Sequence, residues 1–470
     1  MLQSKTSAEA PAHRSFRDDE FWRDIPAWKD VTREEFGSHS WQSRKSVCNL
    51  KQVKETLGDR ISDAHMEDIE AALRIAPMNI RITPYVFALI DWNNPVDDPL
   101  RTQFLPFASQ MLPDHPFYLA DSLGEDDDAP VPMLTHRYPD KVLFLPLTTC
   151  PVYCSYCTRS RIIGGSTESV EKDTYGANMA KWEPAFQYLR DNPKIEDVVI
   201  SGGDAFNMTA KHLRHIGETL LSIPHIRRLR YATKGIAILP MKILNDEKWM
   251  EAFLDVHRQG RELGKQVVIH THFSSPKEIT QWSKSAMDRL FSENVLVRNQ
   301  AVLQEGVNNC QDTMITMGRK LSYINVQSYY VYIHDMVPGC EHLRTTLSDG
   351  VELEKRVRGT TAGFNIPTFV CDAPGGGGKR HVASYEHYNA ETGISTWRTP
   401  NVKPGELFLY FDPLHRLDPS MQERWQSKEE RGKMVRDAIA NSNYVLSESG
   451  RDKLAARLDV NLSGVETRVL

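Results

Sequence analysis

Three cysteines on one short loop, Cys150, Cys154 and Cys157, constrain this chain more than any other feature. They lie in the sequence Thr-Cys-Pro-Val-Tyr-Cys-Ser-Tyr-Cys-Thr-Arg. Three thiolates at this spacing bind three irons of a cubane iron–sulfur cluster, whereas an electron-transfer ferredoxin supplies four cysteines per cluster. Zinc sites pair cysteines twice or combine them with histidine, and this sequence has no second close pair. The loop therefore predicts a 4Fe-4S cluster with one iron open to another ligand.

Composition places the chain among ordinary globular proteins, with 470 residues, 40% hydrophobic and 25% charged. Its net charge of −5 gives no electrostatic argument for binding nucleic acid or an anionic membrane. Seven cysteines without regular spacing argue against a secreted disulfide framework. The beginning of the sequence is acidic and lacks an apolar run, and no stretch approaches the ~20 apolar residues of a membrane span. We therefore expect a cytoplasmic protein.

Changes in composition and hydrophobic pattern divide the chain into three parts. Residues 1–130 are predicted to be mainly helical and end near an acidic connection, Gly124-Glu-Asp-Asp-Asp-Ala-Pro. Residues 131–345 alternate short apolar or β-branched runs with longer segments, which predicts parallel βαβ units. Residues 346–470 are expected to contain a glycine–lysine segment and a mixed C-terminal extension that packs on the barrel or on a neighbouring subunit.

Six runs in the middle part are predicted strands: 142–147, 198–201, 229–232, 267–271, 295–299 and 328–333. Six parallel strands predict an α/β partial (β/α)6 barrel, because the closed form has eight. A helix is expected over 211–221 behind a Thr209 cap. Active sites of such barrels lie at the carboxyl ends of the strands. The cysteine loop and the Ser201-Gly-Gly-Asp204 segment, which follow the first two strands, should therefore share one rim.

Two glycine-containing segments carry further chemistry. In Ser201-Gly202-Gly203-Asp204 the glycines permit a close backbone approach, and the carboxylate suits an ammonium, although the motif alone indicates only a turn. The second segment is Cys371-Asp-Ala-Pro-Gly-Gly-Gly-Gly-Lys379, for which one interpretation is a flexible linker. The preceding run, 366–370, is a predicted buried strand. A lysine on a mobile glycine loop suits imine chemistry with pyridoxal phosphate.

Together these three segments resemble the lysine 2,3-aminomutase family of radical S-adenosylmethionine, pyridoxal-phosphate-dependent enzymes. The Asp-Ala-Pro-Gly-Gly-Gly-Gly-Lys segment is its most specific motif. The resemblance extends over most of the chain and includes Trp41-Gln42, Ile82-Thr-Pro-Tyr85, Thr135-His-Arg-Tyr-Pro-Asp140, Thr271-His-Phe273, Asn299-Gln300, Gly306-Val-Asn308 and Glu341-His-Leu-Arg344.

The resemblance implies three cofactors, namely a 4Fe-4S cluster on the three cysteines, S-adenosylmethionine and pyridoxal 5'-phosphate. It implies that Lys379 carries pyridoxal phosphate as an imine and that Arg137 contacts its phosphate. For His272 a structural role in the core is nearly as good an interpretation. The residues expected to bind S-adenosylmethionine are Ser201, Gly202, Gly203, Asp204 (in place of the usual glutamate), His272 and Gln300.

The resemblance also implies how the substrate is held. Arg159 would bind its carboxylate, a task that suits a planar guanidinium, while Asp335 and Asp372 match the two carboxylates that hold a distal ammonium. Two anions facing a substrate carboxylate would cost several kcal/mol, about 2–5 in a shielded site, so a cationic side chain is expected. The predicted reaction is an isomerisation of L-lysine to β-lysine by 1,2-amino migration.

Alternatives remain open at this point. Arginine or another basic amino acid is the second substrate candidate, and a non-catalytic iron–sulfur protein of the same fold is the candidate from another class. Lys141 replaces the family's usual second basic residue, and Ser155-Tyr156 replaces the common Arg-His. No cysteine follows Cys371, so we predict no structural zinc despite Cys310. The expected partners are a small-molecule amino acid, an external electron donor and a second copy of the chain in a homo-oligomer, with no nucleic acid and no membrane.

Overall fold

A nine-stranded sheet, curved into a partly open barrel, organises the computed structural model, which describes residues 12–468. Strands β2 to β8 are parallel, and β1 and β9 run antiparallel to their neighbours. The strands follow chain order across the sheet: β1 Leu134–Tyr138, β2 Lys141–Phe144, β3 Asp197–Ile200, β4 Arg228–Ala232, β5 Gln266–Thr271, β6 Val297–Val302, β7 Val326–Tyr332, β8 Thr368–Ala373 and β9 Gly378–His381.

The predicted α/β partial barrel is confirmed, and the six predicted strands are present as β2 to β7. Their central residues, such as Val198, Ile200 and Leu229, are fully buried, as expected for parallel strands covered by helices. The run 366–370 contributes β8, which pairs with β7 as a seventh parallel strand. The glycine–lysine segment therefore continues the barrel sheet through β8 and β9, whereas the division of the chain at 130 and 345 stays a prediction.

Helices connect the parallel strands on the outside of the barrel. The predicted helix over 211–221 is confirmed as Ala210–Ser222, and the Thr209 side chain accepts a hydrogen bond from the backbone of His212. Its apolar face is buried against the sheet and a neighbouring helix. The helices of this region are α7 Glu183–Asp191, α8 Ala210–Ser222, α9 Gly235–Ile238, α10 Met241–Asn245, α11 Glu247–Glu262, α12 Gln281–Ser292, α13 Gln311–Tyr323 and α14 Leu347–Val357.

The amino-terminal region is mainly helical, as predicted, and packs on the barrel. Tyr85 is fully buried, and its hydroxyl is 2.7 Å from Thr280 Oγ1, at the start of α12. The helices are α1 Arg33–Phe36, α2 His39–Arg44, α3 Leu50–Leu57, α4 Asp63–Ile75, α5 Pro84–Leu89 and α6 Pro99–Phe104.

The carboxyl-terminal extension is mixed in structure. An antiparallel sheet, β10 His387–Asn389, β11 Ile394–Arg398 and β12 Leu407–Phe411, is followed by helices α15 Pro419–Gln426, α16 Lys428–Asn441 and α17 Glu448–Leu458. The two-residue strands β13 Leu446–Ser447 and β14 Thr467–Arg468 pair beside α17. The Tyr410 hydroxyl donates a 3.0 Å hydrogen bond to the carbonyl of His334, just after β7. The extension is therefore anchored to the barrel of its own chain.

Candidate active site

A cavity of about 300 Å³ opens at the carboxyl ends of the barrel strands. Eight of the residues expected to bind cofactor or substrate line it: Arg137, Arg159, Ser201, His272, Gln300, Asp335, Asp372 and Lys379. The cysteines and the Gly202-Gly203-Asp204 segment lie beside this cavity and do not form its lining. The structure therefore brings together side chains that are far apart in the sequence.

Lys379 and Asp372 face each other across the β8–β9 hairpin. Lys379 Nζ donates a 2.8 Å hydrogen bond to Asp372 Oδ2, while Asp372 Oδ1 is buried without a hydrogen-bond partner among the described residues. Burial alone would lower the pKa of Lys379, but the charge of Asp372 outweighs it and raises that pKa well above its usual value. Asp372 therefore binds one ammonium and has an unused acceptor oxygen for another donor.

The glycine run between these residues forms a tight, buried turn and not an exposed linker. Gly375 to Gly378 are buried, and Gly378 adopts a φ of +79° that favours glycine. A Cβ at Gly378 would lie 2.8 Å from the Tyr138 hydroxyl. The glycines therefore allow the hairpin to pack closely against β1.

Asp335 lies just beyond β7, close enough to Asp372 for the charge of Asp372 to affect the protonation of Asp335. Thr158 Oγ1 donates a 2.7 Å hydrogen bond to Asp335 Oδ2. Burial, followed by the charge of Asp372, raises the pKa of Asp335 to about 7. Two carboxylates in one shielded position favour a cation between them.

Arg137 and Arg159 are both held by an acidic segment upstream of the barrel. Arg137 Nε donates a 2.6 Å hydrogen bond to Asp128, and its Nη2 bonds to the carbonyl of Leu123. Arg159 donates from Nε and Nη2 to the two oxygens of Glu125, at 2.9 and 2.6 Å. Burial opposes both charges, but neighbouring carboxylates outweigh it and raise the pKa of each guanidinium. Both arginines stay cationic in the cavity.

The cysteine loop follows β2 and is packed by the loop that follows β3. Backbone N–H groups of Gly203 and Asp204 donate to the carbonyls of Leu147 and Thr149, at 2.7 and 3.0 Å. A Cβ at Gly203 would lie only 2.2 Å from the Thr149 carbonyl oxygen. The glycine pair therefore makes room for the backbone of the cysteine loop, and its close approach to a ligand stays a prediction.

The three thiols are half-buried on one short loop. Burial raises the pKa of all three, and the charge of Asp204, followed by those of the neighbouring thiolates, raises the pKa of Cys150 further. Within residues 12–468, no three His, Cys, Asp or Glu side chains converge on one mononuclear position. A cubane cluster binds each thiolate to a different iron and therefore does not need such convergence.

Both carboxylate oxygens of Asp204 already accept hydrogen bonds within the protein, which the sequence did not indicate. Its Oδ1 accepts from the backbone of Phe206 and the hydroxyl of Thr233, and its Oδ2 accepts from the backbone of Lys234 at 2.8 Å. Burial raises its pKa despite these donors. Asp204 therefore ties the β3 and β4 loops together, and its contact with S-adenosylmethionine stays a prediction.

His272 and Gln300 occupy the β5 and β6 sides of the cavity. His272 Nε2 lies 2.9 Å from Ser274 Oγ and 3.2 Å from the Tyr156 hydroxyl. Burial and the charge of Lys234 lower the pKa of His272 well below its usual value, so the ring is neutral. Gln300 Oε1 accepts a 2.9 Å hydrogen bond from Tyr332. His272 therefore contacts the cysteine loop through Tyr156, whereas Gln300 lines the cavity beside β7.

Sequence reasoning missed several residues of the site. Tyr138, Thr158 and Tyr332 line the cavity and contact Lys379, Asp335 and Gln300 respectively. Tyr138 stands beside Arg137 in a quoted motif, and Thr158 directly follows the last cysteine, so proximity along the chain was available for both. Glu125 stood in the acidic connection, without an indication of its partner.

Known proteins similar to this chain decide the family. A family model described as Lysine-2,3-aminomutase matches residues 354–388, which include Asp372 and Lys379. The L-lysine 2,3-aminomutase of Clostridium subterminale is 36% identical over 80% of this chain and 88% of its own length. That of Bacillus subtilis is 36% identical over 83% of this chain and 80% of its own length. This chain belongs to the lysine 2,3-aminomutase family.

Membership makes the chain an isomerase, a radical S-adenosylmethionine amino acid 2,3-aminomutase. The family is not uniform in substrate, because a glutamate 2,3-aminomutase of Clostridioides difficile is 30% identical over 74% of this chain and 77% of its own length. The choice of amino acid therefore depends on the residues of the cavity. Among residues 12–468, no helix has the length and apolar character that crossing a membrane requires.

Proposed function

We propose that this chain converts L-lysine to β-lysine, with pyridoxal phosphate on Lys379 and a 4Fe-4S cluster on Cys150, Cys154 and Cys157. The observation that carries the choice of lysine is a pair of carboxylates that line the cavity, the buried Asp372 and the half-buried Asp335. Asp372 has an unpartnered oxygen among the described residues, and Asp335 is bonded to Thr158.

The contact between Asp372 and Lys379 supports an ammonium as the group that Asp372 recognises. A lysine amine already lies 2.8 Å from Asp372 Oδ2. Once the amine of Lys379 is bonded to a cofactor, it is no longer a free ammonium competing for this carboxylate. The distal ammonium of a substrate lysine then offers the same charge-assisted hydrogen bond.

The same pair argues against glutamate. A substrate carboxylate beside Asp335 and Asp372 would add a third negative charge to a shielded site, at a cost of several kcal/mol, about 2–5. We assign the α-carboxylate to Arg159, whose cationic state fits that task. The cavity therefore has a cationic position for the carboxylate and an anionic position for the side chain.

The residues of the cavity also fit the cofactors. Bound together, the cluster with S-adenosylmethionine and pyridoxal phosphate supply hydrogen abstraction by a carbon radical and an imine for nitrogen migration. Lys379 provides the amine, and Arg137 lines the cavity as a cation suited to a phosphate. Ser201, His272 and Gln300 line the same cavity, and His272 contacts Tyr156 of the cysteine loop, near which S-adenosylmethionine is expected. Burial of these groups excludes water from the reacting atoms.

Arginine is the second candidate substrate, favoured by the presence of two carboxylates. A guanidinium can bond to both Asp335 and Asp372 with parallel N–H groups, whereas an ammonium contacts each as a point charge. Cavity length, and not charge, separates the two substrates. The electron donor, a homo-oligomeric state, the absence of zinc and a cytoplasmic location stay predictions.

Equilibrium binding to the holoenzyme tests the proposed specificity. L-lysine should bind about 100-fold more tightly than L-norleucine, which lacks the distal ammonium, because charge-assisted hydrogen bonds contribute about 1.5–3 kcal/mol each. Asp372→Asn should remove most of this preference, and Asp288→Asn, on an exposed part of α12, should preserve it. Equal binding of lysine and norleucine by the unmodified enzyme would contradict the assignment.

A further inference from the structure

The acidic connection upstream of the barrel, residues 121–128, contacts three arginines, of which Arg137 and Arg159 line the cavity. Asp128 and Leu123 bind Arg137, and Glu125 binds Arg159. Arg161 pairs with Asp126 at 2.9 Å, with Asp121 at 3.5 Å and, more distantly, with Glu125 at 3.9 Å. We call residues 121–128 the acidic segment.

The acidic segment is itself fixed against the glycine turn that precedes Lys379. The backbone N–H of Gly375 donates a 2.8 Å hydrogen bond to the carbonyl of Ser122. Gly124 has a φ of +62°, and a Cβ there would lie 3.1 Å from the Gly375 backbone. Lys403 Nζ, from the C-terminal extension, pairs with Asp128 at 3.0 Å. The segment is therefore held from several sides and can orient what it binds.

Glu125 occupies one edge of the Arg159 guanidinium and leaves the other edge free. A guanidinium has five N–H donors in a planar fork. Glu125 uses one donor on Nε and one on Nη2. Among residues 12–468, no hydrogen bond reaches Nη1, so the edge formed by Nη1 and the second donor of Nη2 remains available. That edge has the geometry for a second, bidentate carboxylate.

We propose that Glu125 is a positioning residue, which fixes the Arg159 guanidinium so that its free edge receives the α-carboxylate of the substrate. This inference rests on the proposed function. The Glu125 side chain is only 6% exposed and lines the cavity with Arg159, so the pair is shielded from solvent. A shielded, doubly bonded arginine loses less side-chain freedom on binding a ligand than a free one.

The charge of Glu125 has an opposing effect, because it repels a nearby substrate carboxylate. Two like charges on two edges of one guanidinium repel, although the cation between them attracts both. Without the bidentate contact of Glu125, the substrate itself must order the long Arg159 side chain, and that ordering opposes binding. We infer that positioning outweighs repulsion, so removing the carboxylate of Glu125 should weaken binding of the amino acid.

The test compares amino acids with the amines that lack their carboxylate. Binding to the holoenzyme is measured for L-lysine and 1,5-diaminopentane, and for L-arginine and agmatine. Glu125→Gln should weaken binding of the preferred amino acid about 10- to 100-fold and change binding of its amine less than about twofold. Glu125→Asp, which keeps the charge, should recover part of the loss. Asp126→Asn is the matched control, because Asp126 lies next to Glu125, is 73% exposed and contacts Arg161 instead.

Each outcome separates the inference from the proposed function. Equal losses for amino acid and amine in Glu125→Gln would show general damage to the cavity and would overturn the inference. Tighter binding of the amino acid would also overturn it, because repulsion would then dominate. An unmodified enzyme that binds each amino acid no better than its amine would contradict the proposed function itself, since Arg159 would then recognise no carboxylate.

Discussion

The backbone N–H of Lys379 donates a 2.9 Å hydrogen bond to the hydroxyl of Tyr138. Tyr138 ends β1 and Lys379 lies in β9, so this contact links the first and last strands of the barrel sheet. The Tyr138 ring also lies 5.8 Å from Lys379 Nζ and 4.0 Å from Lys141 Nζ, measured to the ring centroid. Lys379 is therefore positioned by the contact that brings the two edges of the barrel sheet together.

Replacing Tyr138 by phenylalanine tests this link. The Lys379 N–H would lose its acceptor in a part-buried position, at a cost of about 1–3 kcal/mol in the free energy of unfolding. Urea unfolding of the two proteins measures the difference. Tyr385→Phe is the control, because Tyr385 is 36% exposed, and it should change stability by less than about 0.5 kcal/mol. If Tyr138→Phe is as stable as the unmodified protein, the contact does not stabilise the fold.

Binding of lysine should depend on pH through Asp335. Its pKa is raised to about 7 by burial and by Asp372, so Asp335 becomes protonated as the pH falls below that value. The protonated carboxyl loses its attraction for an ammonium, and the KM for lysine should therefore rise by up to about tenfold per pH unit below about pH 7. Steady-state kinetics from about pH 5.5 to 8.5 measure this, and Asp335→Asn should lack the inflection.

Asp335 should strengthen the binding of lysine and, at the same time, lower the free energy of unfolding. A raised carboxyl pKa means that ionisation costs free energy in the folded state, so the penalty is absent below the unfolded pKa of about 4 and complete above about pH 7. Asp335→Asn should therefore raise the free energy of unfolding by about 1–3 kcal/mol at about pH 8 and bind lysine poorly. Equal stabilisation at about pH 3 would indicate a cause other than ionisation.

The packing of the cysteine loop predicts a cluster-loss variant outside the cysteines. Gly203→Ala would place a Cβ 2.2 Å from the Thr149 carbonyl oxygen and displace the loop backbone. We expect iron content and visible absorbance after reconstitution to fall at least about tenfold, because clashes with backbone are costly to relieve. Gly176→Ala is the matched control, since a Cβ there has no neighbour within 4 Å. Full cluster content in Gly203→Ala would contradict this account.

Lys379 should be required for amino migration but not for the cluster. Lys379→Ala removes the amine from the cavity and leaves the cysteine loop unchanged, so product formation should fall below detection while iron–sulfur absorbance is retained. Product analysis and visible spectroscopy of the same sample measure both. His381→Ala, on the same strand and 44% exposed, should retain activity within about twofold. Loss of cluster absorbance in Lys379→Ala would contradict the assigned role.

Much of the barrel could be predicted from the sequence, because its strands are short apolar runs separated by segments with helical periodicity. Val198–Ile200 and the Thr209-capped helix are examples in which local pattern and tertiary burial agree. The glycine turn could not be predicted in the same way. Its burial depends on Tyr138 and on the acidic segment, which are more than a hundred residues away along the chain.

The candidate site was predicted in its residue types more than in its contacts. The cysteines, Lys379 and the two aspartates stand in recognisable motifs. Glu125, the partner of Arg159, stands in no such motif. It lies 34 residues earlier, in a segment that resembles an ordinary solvated acidic loop. Only the fold turns that loop toward the cavity.

The most direct test of the account is an anaerobic turnover assay. The reconstituted protein is incubated with dithionite, S-adenosylmethionine, pyridoxal phosphate and either L-lysine or L-arginine, and the amino acids are separated by mass spectrometry after derivatisation. The account predicts a β-amino acid from L-lysine and little or none from L-arginine. A β-amino acid from L-arginine alone, or none from either substrate in protein with a verified cluster, would contradict the proposed lysine 2,3-aminomutase activity.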